Sequence, residues 1–293
     1  MQLVTFVQGG AHRLGALAVR DGQEVVIDLN KANAQLPADM IAFLAGGDAN
    51  RALARQALAD PPAEAVLDRA SVKLAAPIPR PGKIICIGLN YRDHAAESNA
   101  PLPEYPIVFA KYANTVIGPG DAIVLPRVTE QVDYEAELGV VIGTKARDVS
   151  EADALKYVGG YLPVNDVSAR DYQMRTSQWT MGKTFDTFAP MGPALTTADE
   201  IPDPQTLDIR LTIGGEVLQN SNTHNLIFTV QQLIADLSSV MTLEPGDVIA
   251  TGTPGGVGSA RTPKRWLRAG ETVCVEIERL GRLENPVVAS GGS

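Results

Sequence analysis

The sequence predicts an α+β fold rich in β-strands, a roll or barrel covered by a few helices, with a small α/β unit at the N-terminus. Three observations lead to this prediction. Short stretches with strand character recur from residue 84 to residue 277, turns rich in Gly, Pro, Asp and Asn separate them, and helical patterns are few. The chain also lacks the regular alternation of strand and helix that is typical of a doubly wound sheet.

The first 75 residues form the predicted N-terminal unit. Strand patterns cover residues 3–7, 14–19 and 24–29, and Ala- and Leu-rich helical patterns follow near residues 38–45 and 49–58. Three prolines then fall between residues 76 and 82, a density that excludes a regular helix or a central strand. We therefore predict a domain boundary here, with a small accessory domain at residues 1–75 and the main domain at residues 76–293.

The main domain is predicted from the same kinds of pattern. Its strands are expected at residues 84–87, 107–110, 123–125, 135–142, 161–165, 207–213, 247–250 and 272–277. Its helices are expected at residues 91–97, 151–157, 168–175 and 230–240.

Composition and charge restrict the class of protein. Apolar residues make up 45% of the chain and charged residues 20%, as in ordinary globular proteins, and the formal net charge is −9. An acidic chain lacks the basic surface that binds nucleic acids. No apolar run approaches the roughly 18 residues of a membrane span. The first residues show no secretory signal, so we expect a cytoplasmic protein without nucleic-acid or membrane partners. Cys86 and Cys274 lie in apolar strand patterns and are expected to be buried.

The most informative segment covers residues 132–142. Side chains alternate between the two faces of a strand, so every second residue from Val132 gives a wholly apolar face. The opposite face carries Asp133, Glu135 and Glu137, whose carboxylates would lie about 7 Å apart and repel one another. A divalent cation would offset this repulsion, whereas a solvated acidic strand face is the alternative.

A further acid favours the cation. Asp166 ends an apolar strand pattern where a short helix is predicted to begin. Ligands that offer only oxygen suit a hard cation such as Mg²⁺, Mn²⁺ or Ca²⁺. Zinc is disfavoured, because no His or Cys pair has the spacing of zinc ligands.

Three other segments could carry chemistry. His94 and Glu97 share a face of a predicted helix, an arrangement that orients a general base but also occurs in ordinary surface pairs. Lys183 lies in a turn among Gly and hydroxyl residues, where it could anchor an anion or be solvated. The Gly-rich segment at residues 251–258 fits neither the dinucleotide nor the Walker pattern, so no nucleotide cofactor is expected.

Together these motifs resemble the fumarylacetoacetate hydrolase superfamily. The matching stretches, in the order of the family, are IGLNY at residues 87–91 continuing to Glu97, DYEAEL at 133–138, NDVSARD at 165–171, GKTFDT at 182–187, and PGD at 245–247 continuing to Gly258. They cover the chain from Lys83 onward, and the N-terminal unit resembles the accessory domain of longer members. The resemblance implies a mixed β-sandwich roll, a Mg²⁺ or Mn²⁺ ion, and a homodimer.

The resemblance also implies roles for individual residues. The implied sites are the metal ligands Glu135, Glu137 and Asp166, the catalytic residues His94, Glu97 and Lys183, and the substrate-binding residues Arg170, Gln173 and Thr253. Asp133 is not a ligand in the family, and the pair His94–Glu97 is a base with its orienting carboxylate on a mobile lid. The founding hydrolase has a further aspartate ligand near the position of Ile87, and this departure favours smaller substrates than fumarylacetoacetate.

The implied substrate is a small anionic 2-oxo acid that chelates the metal, which would stabilise an enolate at the adjacent carbon. The main expectation is hydrolysis of a C–C bond in an acylpyruvate, with His94 activating water, or decarboxylation of oxaloacetate. The alternative is an isomerase or tautomerase on the same scaffold, acting on oxaloacetate or a 2-hydroxydienedioate, because the same enolate can be reprotonated. A binding protein without activity is the third possibility. The motif set with its N-terminal extension also resembles the oxaloacetate tautomerase branch.

Overall fold

The computed structural model describes residues 1–291 and contains two large β-sheets, of eleven and five strands. The strands are β1 (Gln2–Gln8), β2 (Ala11–Arg20), β3 (Gln23–Asp28), β4 (Val66–Asp68), β5 (Lys73–Ala75), β6 (Ile84–Gly88), β7 (Ile107–Lys111), β8 (Val116–Ile117), β9 (Ile123–Leu125), β10 (Val132–Asp133), β11 (Ala136–Ile142), β12 (Val158–Asn165), β13 (Ser168–Ala169), β14 (Ala189–Pro190), β15 (Leu195–Thr197), β16 (Asp208–Ile213), β17 (Glu216–Asn222), β18 (Val248–Ala250), β19 (Thr272–Ile277) and β20 (Gly281–Ala289). The α-helices are α1 (Leu29–Ala32), α2 (Met40–Ala45), α3 (Gly47–Ala59), α4 (Arg92–Glu97), α5 (Arg170–Gln173), α6 (Thr180–Lys183) and α7 (Val230–Val240).

The larger sheet runs in the order β4-β3-β2-β1-β15-β12-β11-β18-β6-β7, with β5 paired to β1, and the smaller one runs β17-β16-β19-β20-β9. The main core contains buried side chains of both sheets, such as Leu138 of β11, Leu211 of β16 and Val275 of β19. Burial of each such side chain contributes about 1.5–3 kcal/mol. Helix α7 adds Leu233 to this core and begins with a capping box between Thr229 and Gln232. The predicted β-rich α+β fold, a mixed β-sandwich roll, is therefore confirmed.

The apolar face predicted for residues 132–142 is confirmed as well. Its six members are at most 2% exposed and all belong to the main core: Val132, Tyr134, Ala136, Leu138, Val140 and Ile142.

The strand predicted at residues 135–142 forms as β11, whereas residues 132 and 133 belong to a separate short strand, β10. The backbone N–H of Glu135 donates to Oδ1 of Asn165 at 3.0 Å, and that of Ala136 donates to Oε1 of Gln219 at 2.9 Å. Side chains thus take the N–H groups that a neighbouring strand would otherwise bind, and the ladder stops. Asp133 lies outside β11, and it shares the partner Arg170 with Glu135.

The N-terminal strands extend the larger sheet. Residues Gln2 and Leu3 of β1 pair antiparallel with Thr196 and Leu195 of β15. On one face of this sheet, α2 contributes Phe43 to a second apolar cluster that includes residues of β6, β11 and β12. A domain boundary between residues 75 and 76 stays a prediction.

Two predicted helices are shorter than expected. Only a 3-10 turn, Ala154–Tyr157, forms in the first, and Ser150 donates its hydroxyl to the side chain of Asp153. In the second, β13 pairs with β10 before α5 begins. No helix in the described part of the chain is long and apolar enough to cross a membrane.

Candidate active site

A cavity of about 720 Å³ lies between the end of β6, α4, β7 and the α5–α6 segment. Its walls include seven of the residues singled out from the sequence: His94, Glu135, Glu137, Arg170, Gln173, Lys183 and Thr253. Asp166 joins them through Lys183, and Glu97 joins them through His94. The structure therefore brings all nine residues together, and their roles stay predictions.

Three buried carboxylates form the centre of this site. Glu135, Glu137 and Asp166 each offer an oxygen, and these oxygens lie within 4.8 Å of one another. The residues are 5%, 1% and 0% exposed, so they are not a solvated acidic face. Such a set of oxygen atoms matches the ligands of a hard divalent cation.

Buried cations satisfy two of the three carboxylates. The Nζ atom of Lys183 lies 2.8 Å from Glu135 and 2.9 Å from Asp166. Burial acts to raise the pKa of the Glu135 carboxyl, but Lys183 and Arg170 more than offset this and lower it below the usual value. Burial acts to lower the pKa of Lys183, but Asp166 and Glu135 raise it above the usual value, so this lysine is charged.

Glu137 differs from its neighbours. Its Oε2 accepts a hydrogen bond from the backbone N–H of Gly252 at 3.0 Å, and none of the ion pairs among residues 1–291 involves it. Burial, together with the charges of Asp166 and Glu135, raises the pKa of Glu137 well above its usual value. A buried carboxylate that lacks a cationic partner is the arrangement that a bound metal ion would complete, so the residues fit a divalent cation.

The glycine-rich segment after β18 provides the backbone N–H that binds the Glu137 carboxylate. Gly252 adopts a φ of +108°, and a Cβ atom there would lie 2.7 Å from the Cβ of Asn90. Glycine is therefore required for the N–H of residue 252 to reach Glu137. The side chain of Asn90 fixes the segment by donating to the carbonyl of Thr251 at 2.7 Å.

Asp133 lies beside the carboxylate centre and binds Arg170 and two backbone N–H groups. It accepts hydrogen bonds from Arg170 Nε at 2.8 Å and from the backbone N–H groups of Gly258 and Ser259 at 2.8 and 2.9 Å. The Nη1 atom of Arg170 lies 2.7 Å from Glu135, whereas its Nη2 atom is buried without a hydrogen-bond partner. Asp133 thus holds the guanidinium at the cavity wall.

The pair predicted from residues 94 and 97 forms as expected. Nδ1 of His94 lies 2.7 Å from Oε1 of Glu97, and the other carboxylate oxygen accepts from the backbone N–H of Gly256 at 2.8 Å. Because Glu97 engages Nδ1, Nε2 is the ring nitrogen available for proton transfer. His94 lines the same cavity as Glu135 and Glu137.

Sequence reasoning missed several residues that support the site. Lys111 ends β7, is buried, and donates to Asp166 Oδ1 at 2.6 Å and to the carbonyl of Val167 at 3.0 Å. The sequence indicated this residue only by its place, as a lysine directly after the apolar strand pattern at residues 107–110. Gln219 donates to Thr253 Oγ1 at 2.8 Å, but the polar sequence around it gave no sign of a strand.

The fold and this carboxylate centre define a metal-dependent class of enzyme. Residues 83–288 match the family model for the fumarylacetoacetate hydrolase C-terminal domain, and the protein is an enzyme of this family. Among curated proteins it is similar to oxaloacetate tautomerase fahd2, mitochondrial, of Xenopus laevis (47% identity, covering 98% of this chain and 90% of that protein). It is also similar to oxaloacetate tautomerase FAHD2A, mitochondrial, of Homo sapiens (48% identity, covering 90% and 84%).

Solved structures give the same family. Fumarylacetoacetate hydrolase from Exiguobacterium antarcticum superposes with a TM-score of 0.85 at 34% identity, covering 99% of both chains. Maleylpyruvate hydrolase from Sphingobium sp. SYK-6, in complex with manganese(II) and pyruvate, superposes with a TM-score of 0.82 at 32% identity, again covering 99% of both chains. The family thus includes a member that binds a divalent metal and a 2-oxo acid.

One expectation from the sequence is wrong. The relatives from Xenopus laevis and Homo sapiens are both named as mitochondrial proteins, which contradicts the expected cytoplasmic location. That expectation relied on the lack of a secretory signal in the first residues, a pattern that does not report on mitochondria.

Proposed function

We propose that the protein is a divalent-metal-dependent tautomerase that interconverts the enol and keto forms of oxaloacetate. One observation carries the proposal: the buried carboxylates Glu135 and Glu137 share a cavity with His94, whose ring has a single nitrogen available for proton transfer. The names of two relatives at 47% and 48% identity support this choice among the reactions of the family. Cleavage or decarboxylation, the main expectation from the sequence, thereby becomes second.

In this proposal Glu135, Glu137 and Asp166 hold Mg²⁺ or Mn²⁺. When bound, such a cation polarises the keto oxygen of a 2-oxo acid and favours negative charge on it. Lys111, Lys183 and Arg170 together balance the charges of Asp133, Glu135 and Asp166. A divalent cation beside Glu137 would therefore leave one net positive charge, which suits an anionic substrate.

His94 moves the proton. Conversion of the enol to the keto form adds a proton at C3 and removes one from the enol hydroxyl. The protonated imidazole delivers a proton to C3 from Nε2, while Glu97 stabilises its charge at Nδ1. The hydroxyl proton returns to the imidazole through solvent, so the reaction leaves His94 in its starting state.

A lysine on the cavity wall supports a substrate with two carboxylates. Lys264 lines the cavity and donates to the carbonyl of Ser259 at 3.1 Å, and none of the ion pairs in the described residues includes it. Of the three Lys and Arg side chains on the wall, Arg170 and Lys183 are paired with carboxylates. Lys264 is therefore available to the second carboxylate of oxaloacetate.

Hydrolysis of acylpyruvates is the second candidate function. It is favoured by the likeness to maleylpyruvate hydrolase, which was solved with manganese(II) and pyruvate. In that reaction His94 would activate water rather than protonate carbon.

We also propose that the protein is a homodimer. Strand β7 is the terminal strand of the larger sheet, and Val108 on β7, Tyr105 before it and Tyr112 after it are 44%, 71% and 57% exposed. An apolar sheet edge of this kind is normally covered, and a second copy of the chain would cover it. Light scattering should give twice the mass of the chain for the wild type, and Val108→Lys should give the monomer. A monomeric wild type would contradict the proposal.

Loss of the enol absorbance of oxaloacetate tests the tautomerase directly. The Mn²⁺-loaded wild type should accelerate this loss, and His94→Ala should reduce the rate by about 10²–10⁴-fold, the usual contribution of a positioned acid or base. His224→Ala is the matched control, because His224 is exposed and contacts Asn222 outside the cavity. Equal rates for His94→Ala and the wild type would refute the role of His94.

A further inference from the structure

We infer that Asp93 is a positioning residue. It joins α4, the helix that carries His94, to strand β17. It thereby fixes the position of the imidazole relative to the loop that carries Thr253. Oδ1 of Asp93 accepts hydrogen bonds from the backbone N–H of His94 at 2.8 Å and of Gly255 at 3.2 Å. Oδ2 accepts from the hydroxyl of Ser221 at 2.5 Å. One carboxylate thus connects three separate segments of the chain.

The two ends of α4 contact the same loop. Asp93 lies in the first turn of the helix and binds the N–H of Gly255, and Glu97 at its end binds the N–H of Gly256 at 2.8 Å. A carboxylate that accepts from a backbone N–H makes a stronger hydrogen bond than a neutral group does. The helix is therefore held by two such bonds about one turn apart.

Strand β17 fixes the other side of this contact. Gln219 and Ser221 are two residues apart on the strand and therefore share a face. Gln219 donates to Thr253 Oγ1 and to the carbonyl of Pro254, both at 2.8 Å, while Ser221 donates to Asp93. The loop is held closely, since a Cβ atom on Gly256 would lie 2.2 Å from the carbonyl oxygen of Leu218. One face of β17 thus sets the position of both the substrate loop and the His94 helix.

An aspartate in the first turn also stabilises a helix through the helix dipole, and this is the simpler explanation for Asp93. The two explanations differ in what they predict for Ser221. Ser221 lies outside α4, and its hydroxyl donates to Asp93 and accepts from the side chain of Asn225 at 3.0 Å. Ser221→Ala leaves the charge of Asp93 at the helix terminus in place, so it affects the helix through the link to β17 rather than through the dipole.

Hydrogen exchange of residues 92–97 tests the link and does not depend on the proposed function. Exchange in this segment should become faster in Asp93→Ala and in Ser221→Ala, with Asp93→Asn intermediate because its amide keeps an acceptor for the N–H groups. Asp48→Ala is the matched control, because Asp48 lies in the first turn of α3 and pairs with Arg51 on the protein surface, away from the cavity. If Asp93→Ala fails to fold, Ser221→Ala and Asp93→Asn still decide the question.

The kinetic part of the test uses the Mn²⁺ holoenzyme and rests on the proposed tautomerase activity. Ser221→Ala should lower kcat about tenfold, the effect of one lost hydrogen bond to a charged group, and Asp93→Ala, which loses three such bonds, should lower it at least as much, with the Kd for Mn²⁺ unchanged in both. In the double variant, the second substitution should change kcat less than twofold. Unchanged exchange and kcat in Ser221→Ala, or additive losses in the double variant, would overturn the inference. A wild type without activity would refute the proposed function and leave the exchange result valid.

Discussion

Replacement of Glu137 by glutamine isolates the charge of the one carboxylate in the centre that lacks a cationic partner. Glu137 is 1% exposed and accepts a hydrogen bond from Gly252, a contact that the amide oxygen of glutamine preserves. Without metal, the substitution removes a buried negative charge that Asp166 and Glu135 repel. We therefore expect Glu137→Gln to be more stable than the wild type when metal is absent.

The sign of the pH dependence follows from the raised pKa of Glu137. In the unfolded chain this carboxyl loses its proton near its ordinary pKa of about 4.3, whereas in the folded protein it loses it at higher pH. The folded state is therefore favoured below about pH 4.3, and this contribution is lost as the pH rises through the folded pKa. At neutral pH the variant should exceed the metal-free wild type by about 1–3 kcal/mol, the cost of a poorly satisfied buried polar group.

Metal reverses the order. At a Mn²⁺ concentration about 1,000 times the Kd, binding stabilises the wild type by about 4.1 kcal/mol, or about 6–7 °C in Tm. Glu137→Gln should gain little, because it lacks one of three ligands. Thermal unfolding between pH 5 and 8, in EDTA and then in Mn²⁺, measures both effects, and Glu64→Gln is the matched control because Glu64 is exposed in the N-terminal unit. A Mn²⁺ shift in Glu137→Gln equal to that of the wild type would refute the assignment of the metal ligands.

Three further predictions concern the surroundings of the centre. Lys111→Met should destabilise the protein by about 3–5 kcal/mol, because it leaves Asp166 without one buried partner. Calorimetry should show that it also weakens Mn²⁺ binding about 10–100-fold. Unchanged stability and affinity would show that the Lys111 ammonium does not orient Asp166. Residues 91–103, polar and broken by Pro101 and Pro103, should exchange hydrogen more slowly when Mn²⁺ and oxalate are bound, and equal exchange with and without oxalate would argue against a mobile lid. Lys264→Ala should raise the KM for enol-oxaloacetate about 2–5-fold, as expected for an exposed ion pair, while leaving inhibition by the smaller oxalate unchanged. An equal loss for both ligands would place Lys264 elsewhere in the mechanism.

The parts of the site that the sequence predicted are those with a local pattern. Alternation along residues 132–142 separated the apolar face from Glu135 and Glu137, and the spacing of three residues placed His94 and Glu97 on one helical face. Both patterns depend on the geometry of a single strand or helix, so they can be recognised without knowing how the rest of the chain packs.

The parts that were missed depend on contacts distant in sequence. Asn165 and Gln219 interrupt the acidic strand through their side chains, from 30 and 83 residues away. Strand β17 is at the edge of its sheet and has a polar sequence, because one of its faces supports the loop at Thr253 rather than the core. Neither role leaves a periodic pattern that can be recognised before the elements are assembled.

The proposed tautomerase transfers a proton to the substrate without breaking a C–C bond. Proton NMR of enol-oxaloacetate with the protein loaded with diamagnetic Mg²⁺ resolves the enol, the keto form and pyruvate in one sample. We predict that the enol disappears faster than with Mg²⁺ alone and that pyruvate forms no faster than with Mg²⁺ alone. The opposite result is pyruvate that accumulates in step with the loss of oxaloacetate and that depends on His94. It would contradict the proposed tautomerase activity and identify a decarboxylase.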